Sequence, residues 1–294
     1  MTTTPDEALI SIEPSDATLR RWIDLLTTPS DVWYWDDSLA DIDTTGQRVL
    51  DRQAYMEAYA DIRYTNAYWH WRMPKPVQQL VVADPAWIGS LEDNDRRRVL
   101  AKQVELDRGQ IFPASHFDRV PMALKPYRVD GKIVLSRAGW RSLNEAEQCT
   151  FLRRERFAWD DVECFPVPND TPAHIKAIAN AYGDEHGTNC LSTTAFCITA
   201  REEVHRKWMF QPEFLQILAG AGYDPVESDS AQSGDVIVFS QADVPVHAAY
   251  VIAPDRMLNK NGQSMFNPVR VVNRAMLDAD WADATSQIYR TPGI

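Results

Sequence analysis

The chain of 294 residues is about twice the commonest domain length, which predicts two domains rather than one. Hydrophobic residues make up 45% and charged residues 24%, a globular balance that excludes a mainly disordered chain. Lys and Arg number 30 against 42 Asp and Glu, a formal charge of −12 shared evenly: 9 basic and 15 acidic residues from Phe165 onward, 21 and 27 before it. An acidic chain without a basic stripe holds phosphate backbones poorly, so nucleic acid is not an expected partner.

The first residues, MTTTPDEALISIEP, lack the basic and apolar regions of a secretory signal. No stretch reaches the ~18 apolar residues of a bilayer span, so the expectation is a soluble, cytoplasmic protein without a membrane partner. Export by a signal-independent route stays open. Ser15 is placed to cap a helix carrying Leu19, Trp22, Ile23 and Leu26, closed by Pro29. A second helix is predicted from about Gln47 to Arg63, with Val49, Leu50, Tyr55, Met56 and Tyr59 as its apolar positions. Asp84-Pro85 opens a short third helix. Asp93 or Asn94 opens a fourth, through Val99, Leu100, Val104 and Leu106 to Gly109. Asp130-Gly131 between two apolar runs signals a hairpin, Tyr127 to Leu135. A last helix spans about Leu143 to Phe157. Residues 1–165 thus read as a mostly helical domain without an assigned role. Trp33, Trp35, Trp69 and Trp71 suit an aromatic groove or, more plainly, core packing. Arg96-Arg97-Arg98 and Arg153-Arg154-Glu155-Arg156 read as solvated helix faces before anion sites.

The Pro-rich stretch Phe165-Pro166-Val167-Pro168 marks a boundary, with a second domain over 166–294. Helices are predicted from Ala173 to about Tyr182, from Cys190 through Thr199 or beyond, and from Pro212 to Ala219. Strands follow at Asp235–Ser240, Val246–Ile252, Arg256–Asn259, Val269–Asn273 and Gln287–Arg290. Helices first and an antiparallel sheet afterwards is an α+β pattern.

Cys190 follows Gly187-Thr188-Asn189 and opens a helix, where the macrodipole and unpaired amides favour a thiolate. Cys197 lies two turns on, about 10 Å away, too far for a disulfide and best read as core. Cys149 and Cys164 complete a set of four without the paired spacing of a zinc site. His247 sits on an alternating strand with Ala249 and Val251 on its face. Asn259 comes twelve residues later, across a turn at Ala253-Pro254-Asp255, so a hairpin centred there brings the two together. Nucleophile, base and orienting group are the elements of acyl transfer. No Walker-type loop, Gly-x-Gly-x-x-Gly or His-x-x-x-His pair is present, so no cofactor or metal is expected.

Gly234-Asp235-Val236-Ile237-Val238-Phe239, His247-Ala248-Ala249-Tyr250-Val251-Ile252 and Asn259-Lys260-Asn261-Gly262 together resemble the NlpC-type branch of the papain-like fold. That family places its cysteine at a helix start ahead of the histidine; here 57 residues separate them. The likeness covers about residues 170 to 292. It implies a papain-like C-terminal domain, with Ala173–Tyr182 as its first helix. Cys190 becomes the nucleophile, His247 the general base and acid, and Asn259 the group that fixes the imidazole. The neighbours Asn189, Leu191 and Ser192 stand where the family has substrate-binding residues. The usual Asp-Cys-Ser-Gly is here Asn189-Cys190-Leu191-Ser192, and the Tyr-x-Trp-Gly-Gly stretch is missing, which argues against ordinary peptidoglycan remodelling.

The expected function is a cysteine-dependent amide hydrolase, a peptidase or amidase working through a thioester on an amide- or thioester-containing substrate, carrier-bound or peptide. An acyltransferase passing the acyl group to an amine, and an inactive binding module, are the alternatives. His186 is a second candidate base, Asn261 and Asp255 are rivals of Asn259, and His70, His116, His174 and His205 have no role in this reading. Glu202-Glu203 is placed on the polar face of the Cys190 helix.

Overall fold

The computed structural model describes residues 8–26, 30–58, 75–228 and 230–292. It is an α+β chain in which every described strand pairing is antiparallel. Two compact units divide it: Leu19–Ala158, and the residues on either side of that span. The boundary thus falls at Trp159, ahead of the Pro-rich stretch. Strands, numbered in chain order, explain why. β1 (Ile10–Ser11) pairs with β8 (Glu163–Cys164), and Phe165 N–H donates to Val271 O at 2.8 Å. The prolines follow a segment already bonded into the C-terminal unit, so they do not form a linker.

In the unit Leu19–Ala158 the mostly helical reading needs amending. β2 (Asp31–Trp35), β3 (Arg48–Asp51) and β4 (Gln79–Ala83) form one sheet in the order β2-β4-β3. β5 (Ile111–Pro113), β6 (Arg128–Val129) and β7 (Lys132–Val134) form a second, β5-β7-β6. Val49 and Leu50 are therefore strand residues, and the helix after them is Arg52–Ala58, its Ala54 N–H held by Asp51. Tyr59, Arg63, Pro29, Trp69, His70 and Trp71 lie outside the described residues. Trp33 and Trp35 are buried core. The hairpin turn is as expected, with left-handed φ of 47° at Asp130 and 77° at Gly131. Ser15 Oγ caps the Asp16–Leu26 helix by accepting from Thr18 N–H, and the helices Asp93–Leu106 and Glu145–Glu155 lie where predicted.

The other unit is built on a six-stranded sheet, β13-β12-β11-β10-β14-β9. These strands are β9 (Asp224–Val226), β10 (Val236–Gln241), β11 (Val244–Ala253), β12 (Arg256–Asn259), β13 (Arg270–Val272) and β14 (Thr285–Arg290). Alternation along β10 and β11 sends Val236, Val238 and Ala248 to one face, packed with Leu191, Phe214 and Leu218 of two helices, Cys190–Thr199 and Gln211–Gly220. Ile237, Phe239, Ala249 and Val251 go to the other, against Leu277 of the helix Arg274–Asp280. Neither that helix nor β9 was legible beforehand.

Two helix predictions change. The first helix is a single turn, Ala173–Lys176. Asn180, at φ 53°, halts any extension by donating from Nδ2 to Phe165 O and accepting from Val271 N–H, which pins the segment beside β13. The Cys190 helix stops at Thr199 because Ala200 adopts φ 55°. Glu202 and Glu203 begin a separate short helix, Glu202–His205, and do not share the face of the Cys190 helix.

Candidate active site

Asn189 is extended and its Oδ1 accepts from Ser192 N–H at 3.0 Å; Ser192 Oγ accepts in return from Asn189 N–H at 2.9 Å. This reciprocal cap fixes Cys190 as the first residue of its helix, at the positive end of the macrodipole. Asn189 Nδ2 also donates to Met209 O at 2.9 Å. The same bonds correct the substrate-binding reading of the cysteine's neighbours. Asn189 and Ser192 spend their polar atoms on the cap, and Leu191 is buried in the core. Cys197 is core as well, its thiol pushed up strongly by burial, and all four cysteines are free thiols.

The Cys190 side chain packs toward β10 and β11. Burial pushes its thiol up to about 11, while the N–H groups of Ala248, Leu191 and Cys190 itself, and the charge of Lys260, act in the opposite direction.

β11 and β12 form the expected hairpin, Ala253 opposite Arg256, with Asp255 at φ 55° in the turn. His247 Nε2 and Asn259 Oδ1 are 2.7 Å apart. The direction of this bond follows from what lies beyond it. Asn259 Nδ2 donates to Asn261 Oδ1 at 2.8 Å, and Asn261 Nδ2 donates to carboxylate oxygens of Asp280 at 3.0 Å and Asp160 at 3.3 Å. Carboxylates only accept, so each amide in the chain is oriented with its oxygen toward His247. Nε2 therefore carries the proton and Nδ1 the lone pair. The Trp281 ring stacks on the imidazole at 4.3 Å and 17°, and Phe239 lies at 6.0 Å. Only 1% of His247 is exposed; burial lowers its pKa to about 4, with the Asn259 bond opposing.

The rivals have other employment. Asn261 supports Asn259 and does not replace it. Asp255 Oδ1 accepts from Arg274 N–H at 3.1 Å. His186 Nδ1 accepts from Met265 N–H at 3.2 Å and so is not poised as a base. His174 meets Cys197 O, His116 meets Glu155, and His205 stacks on Phe196.

The structure thus joins His247 and Asn259 directly. Cys190 approaches the same strand one residue along, at the Ala248 amide, from the face opposite Phe239 and Trp281. No hydrogen bond links the thiol to the imidazole, and both groups are neutral near pH 7. At rest the two side chains pack on opposite faces of β11. Three residues escaped the sequence reading: Trp281, Asp160 and Lys260. Trp281 is the one tryptophan beyond residue 210, and Lys260 directly follows Asn259, the last residue of β12.

Among the described residues no group of three or more His, Cys, Asp or Glu is placed to hold a metal, and no helix is long and apolar enough to cross a membrane. The chain matches no family model, no curated protein and no solved structure.

Proposed function

We propose that the C-terminal unit is a papain-like cysteine amide hydrolase of the NlpC type. The observation that carries this reading is the His247–Asn259 bond, buried beneath Trp281 and tensioned by the amide chain to Asp160 and Asp280. A histidine held in one tautomer by a neutral amide is a base with its lone pair on a chosen nitrogen. Four residues, Asn259, Asn261, Asp160 and Asp280, share in that orientation.

In this mechanism Nδ1 of His247 takes the Cys190 proton as Sγ bonds to the substrate carbonyl carbon, a transfer that requires the imidazole to leave the Trp281 face of β11 for the face on which Cys190 packs. The carbonyl electron pair moves onto oxygen, where the Cys190 backbone N–H at the helix start receives the charge. Collapse breaks the C–N bond, and the imidazolium returns its proton to the departing amine. Water, deprotonated by Nδ1, then attacks the thioester, releasing a carboxylic acid and restoring the thiol. Because thiol and imidazole rest neutral, the proton moves with the attack and no ion pair precedes it.

The test is acid-quenched mass spectrometry of the protein incubated with a panel of peptide and acyl p-nitroanilides. An acyl mass on Cys190 and no turnover by Cys190→Ala are expected, whereas Cys197→Ala stays active at a stability cost of ~1 kcal/mol, that of a small buried group. Turnover surviving in Cys190→Ala ends the assignment.

A further inference from the structure

Lys260 is the residue of the site that the mechanism above leaves unused. It is 3% exposed and lies just beyond the end of β12, directly after Asn259. Its Nζ donates to Ser264 O at 3.0 Å and to Asn267 O. The loop it thereby closes is tied to the segment entering the Cys190 helix: Gly187 N–H donates to Gln263 O at 2.9 Å, and Met265 N–H donates to His186 Nδ1. Asn267 Oδ1 receives Ser264 N–H, and Gly262 lies so close to the Asn267 amide that an added Cβ has no room. One loop therefore fixes the ammonium and is itself bonded to residues 186 and 187, just ahead of the Cys190 helix.

Two carbonyls do not neutralise a buried charge, and isolated burial of an ammonium is costly. The charged and titratable groups around Lys260 are few. Asp160 is the opposite charge, already paired with Arg270 at 2.9 Å. His186 and His205 feel Lys260 and are held neutral, first by burial and then by its charge. Cys190 is the remaining one. Among the groups acting on the thiol, Lys260 is the one full charge; the rest are backbone amides.

We propose that Lys260 is a positioning residue for the nucleophile, its buried ammonium offsetting negative charge as it develops on the Cys190 sulfur. Asn259, the last residue of β12, serves the base, and Lys260, the next residue, serves the nucleophile. This rests on the assignment of Cys190 above. Burial lowers Lys260 to about 7, so the offset fades as pH rises through neutrality. Loss of the charge then leaves a thiol harder to ionise.

The test is the rate of iodoacetamide alkylation at Cys190, followed by peptide mass mapping from pH 6 to 10. In Lys260→Met the rate drops roughly tenfold at pH 6, where wild-type Lys260 is charged, and converges on wild type as pH rises past neutrality, whereas Lys260→Arg, charged throughout, keeps the rate at pH 6. A folded Lys260→Met whose profile overlays that of wild type overturns the proposal. Should Lys260→Met fail to fold, the native chain decides. With 13Cε-lysine labelling, carboxymethylation of Cys190 by iodoacetate, which installs an anion, raises the Lys260 titration, and carbamidomethylation by iodoacetamide does not. Equal titrations in the two adducts overturn it. Neither readout uses turnover, so absence of an acyl-enzyme on Cys190 refutes the hydrolase reading alone.

Discussion

At the residue scale, the orientation of one imidazole depends on a relay of side-chain amides that ends in carboxylates. Asn259 accepts from His247 because Asn261 takes its N–H, and Asn261 can do so because Asp280 and Asp160 take its own. Removing Asn259 leaves the base present but unfixed. Asn259→Ala should therefore slow turnover less than His247→Ala. Asn259→Asp places an anion against Nε2–H and favours imidazolium, raising the pKa of His247 from about 4. The base works only when neutral, so the acid limb of the pH–rate profile should move to higher pH. A profile for Asn259→Asp that matches wild type on its acid side contradicts the relay. The pairing of His247 with Asn259 was legible because hairpin geometry is local: a two-residue turn at Pro254-Asp255 brings the two strands together, and the one-residue register shift between Val251 and Ala253 is too small to part them. Trp281 was not legible as a partner of the ring, since it reaches His247 from a helix that carries no sequence signal of its role.

At the scale of elements, the helix that presents Cys190 is held by its first residues more than by its length. Asn189 Oδ1 makes the cap by accepting from Ser192 N–H, and its Nδ2 donates to Met209 O, which ties the helix start to the chain ahead of Gln211–Gly220. Asn189→Ala loses both. A cap alone is worth ~0.5–2 kcal/mol, and the orphaned Met209 carbonyl adds to the loss. The expected result is destabilisation at the upper end of that range, read from urea midpoints; a change within ~0.5 kcal/mol contradicts it. The start of this helix could be read from Thr188-Asn189 because polar N-caps are chemically specific. Its end could not, because a left-handed Ala200 has no compositional mark. The same holds for Ala173–Lys176, where long-range bonds from Asn180 to Phe165 and Val271 decide the outcome. Short strands such as Arg48–Asp51 offer too few alternations to outweigh an adjoining helical pattern, so the sheet β2-β4-β3 was missed, while of β5-β7-β6 the hairpin β6-β7 was read and β5 was not.

For the whole molecule, acid response follows from buried bases. His186, His205 and His247, all in the C-terminal unit, are each lowered to about 4 by burial. Between pH ~6.5 and 4 the unfolded chain binds protons at these rings that the folded chain refuses, so stability is present at higher pH and drains as pH falls. Asp160, raised by burial, opposes this only in the carboxylate range. In the other unit Asp31 is raised to about 6, and it favours the folded state on acidification. The denaturation midpoint of the C-terminal unit, followed by the fluorescence of Trp159, Trp208 and Trp281 in a chain with its other tryptophans replaced by Phe, should fall from pH 6.5 to 4.5. A flat or rising midpoint contradicts three neutral, buried histidines. The existence of two units was predictable from length, but the division at Trp159 was not, because it depends on β1 pairing with a strand far along the chain.

The central claim is that Cys190 and His247 act together although no bond joins them at rest. The direct measurement is the second-order rate of iodoacetamide alkylation at Cys190, by peptide mass mapping at pH 7, in wild type and in a folded His247→Ala. The account predicts that Cys190 is modified ahead of the buried Cys197 in wild type, and that His247→Ala slows Cys190 by tenfold or more, because the base that takes its proton is gone. An unchanged Cys190 rate in His247→Ala contradicts it.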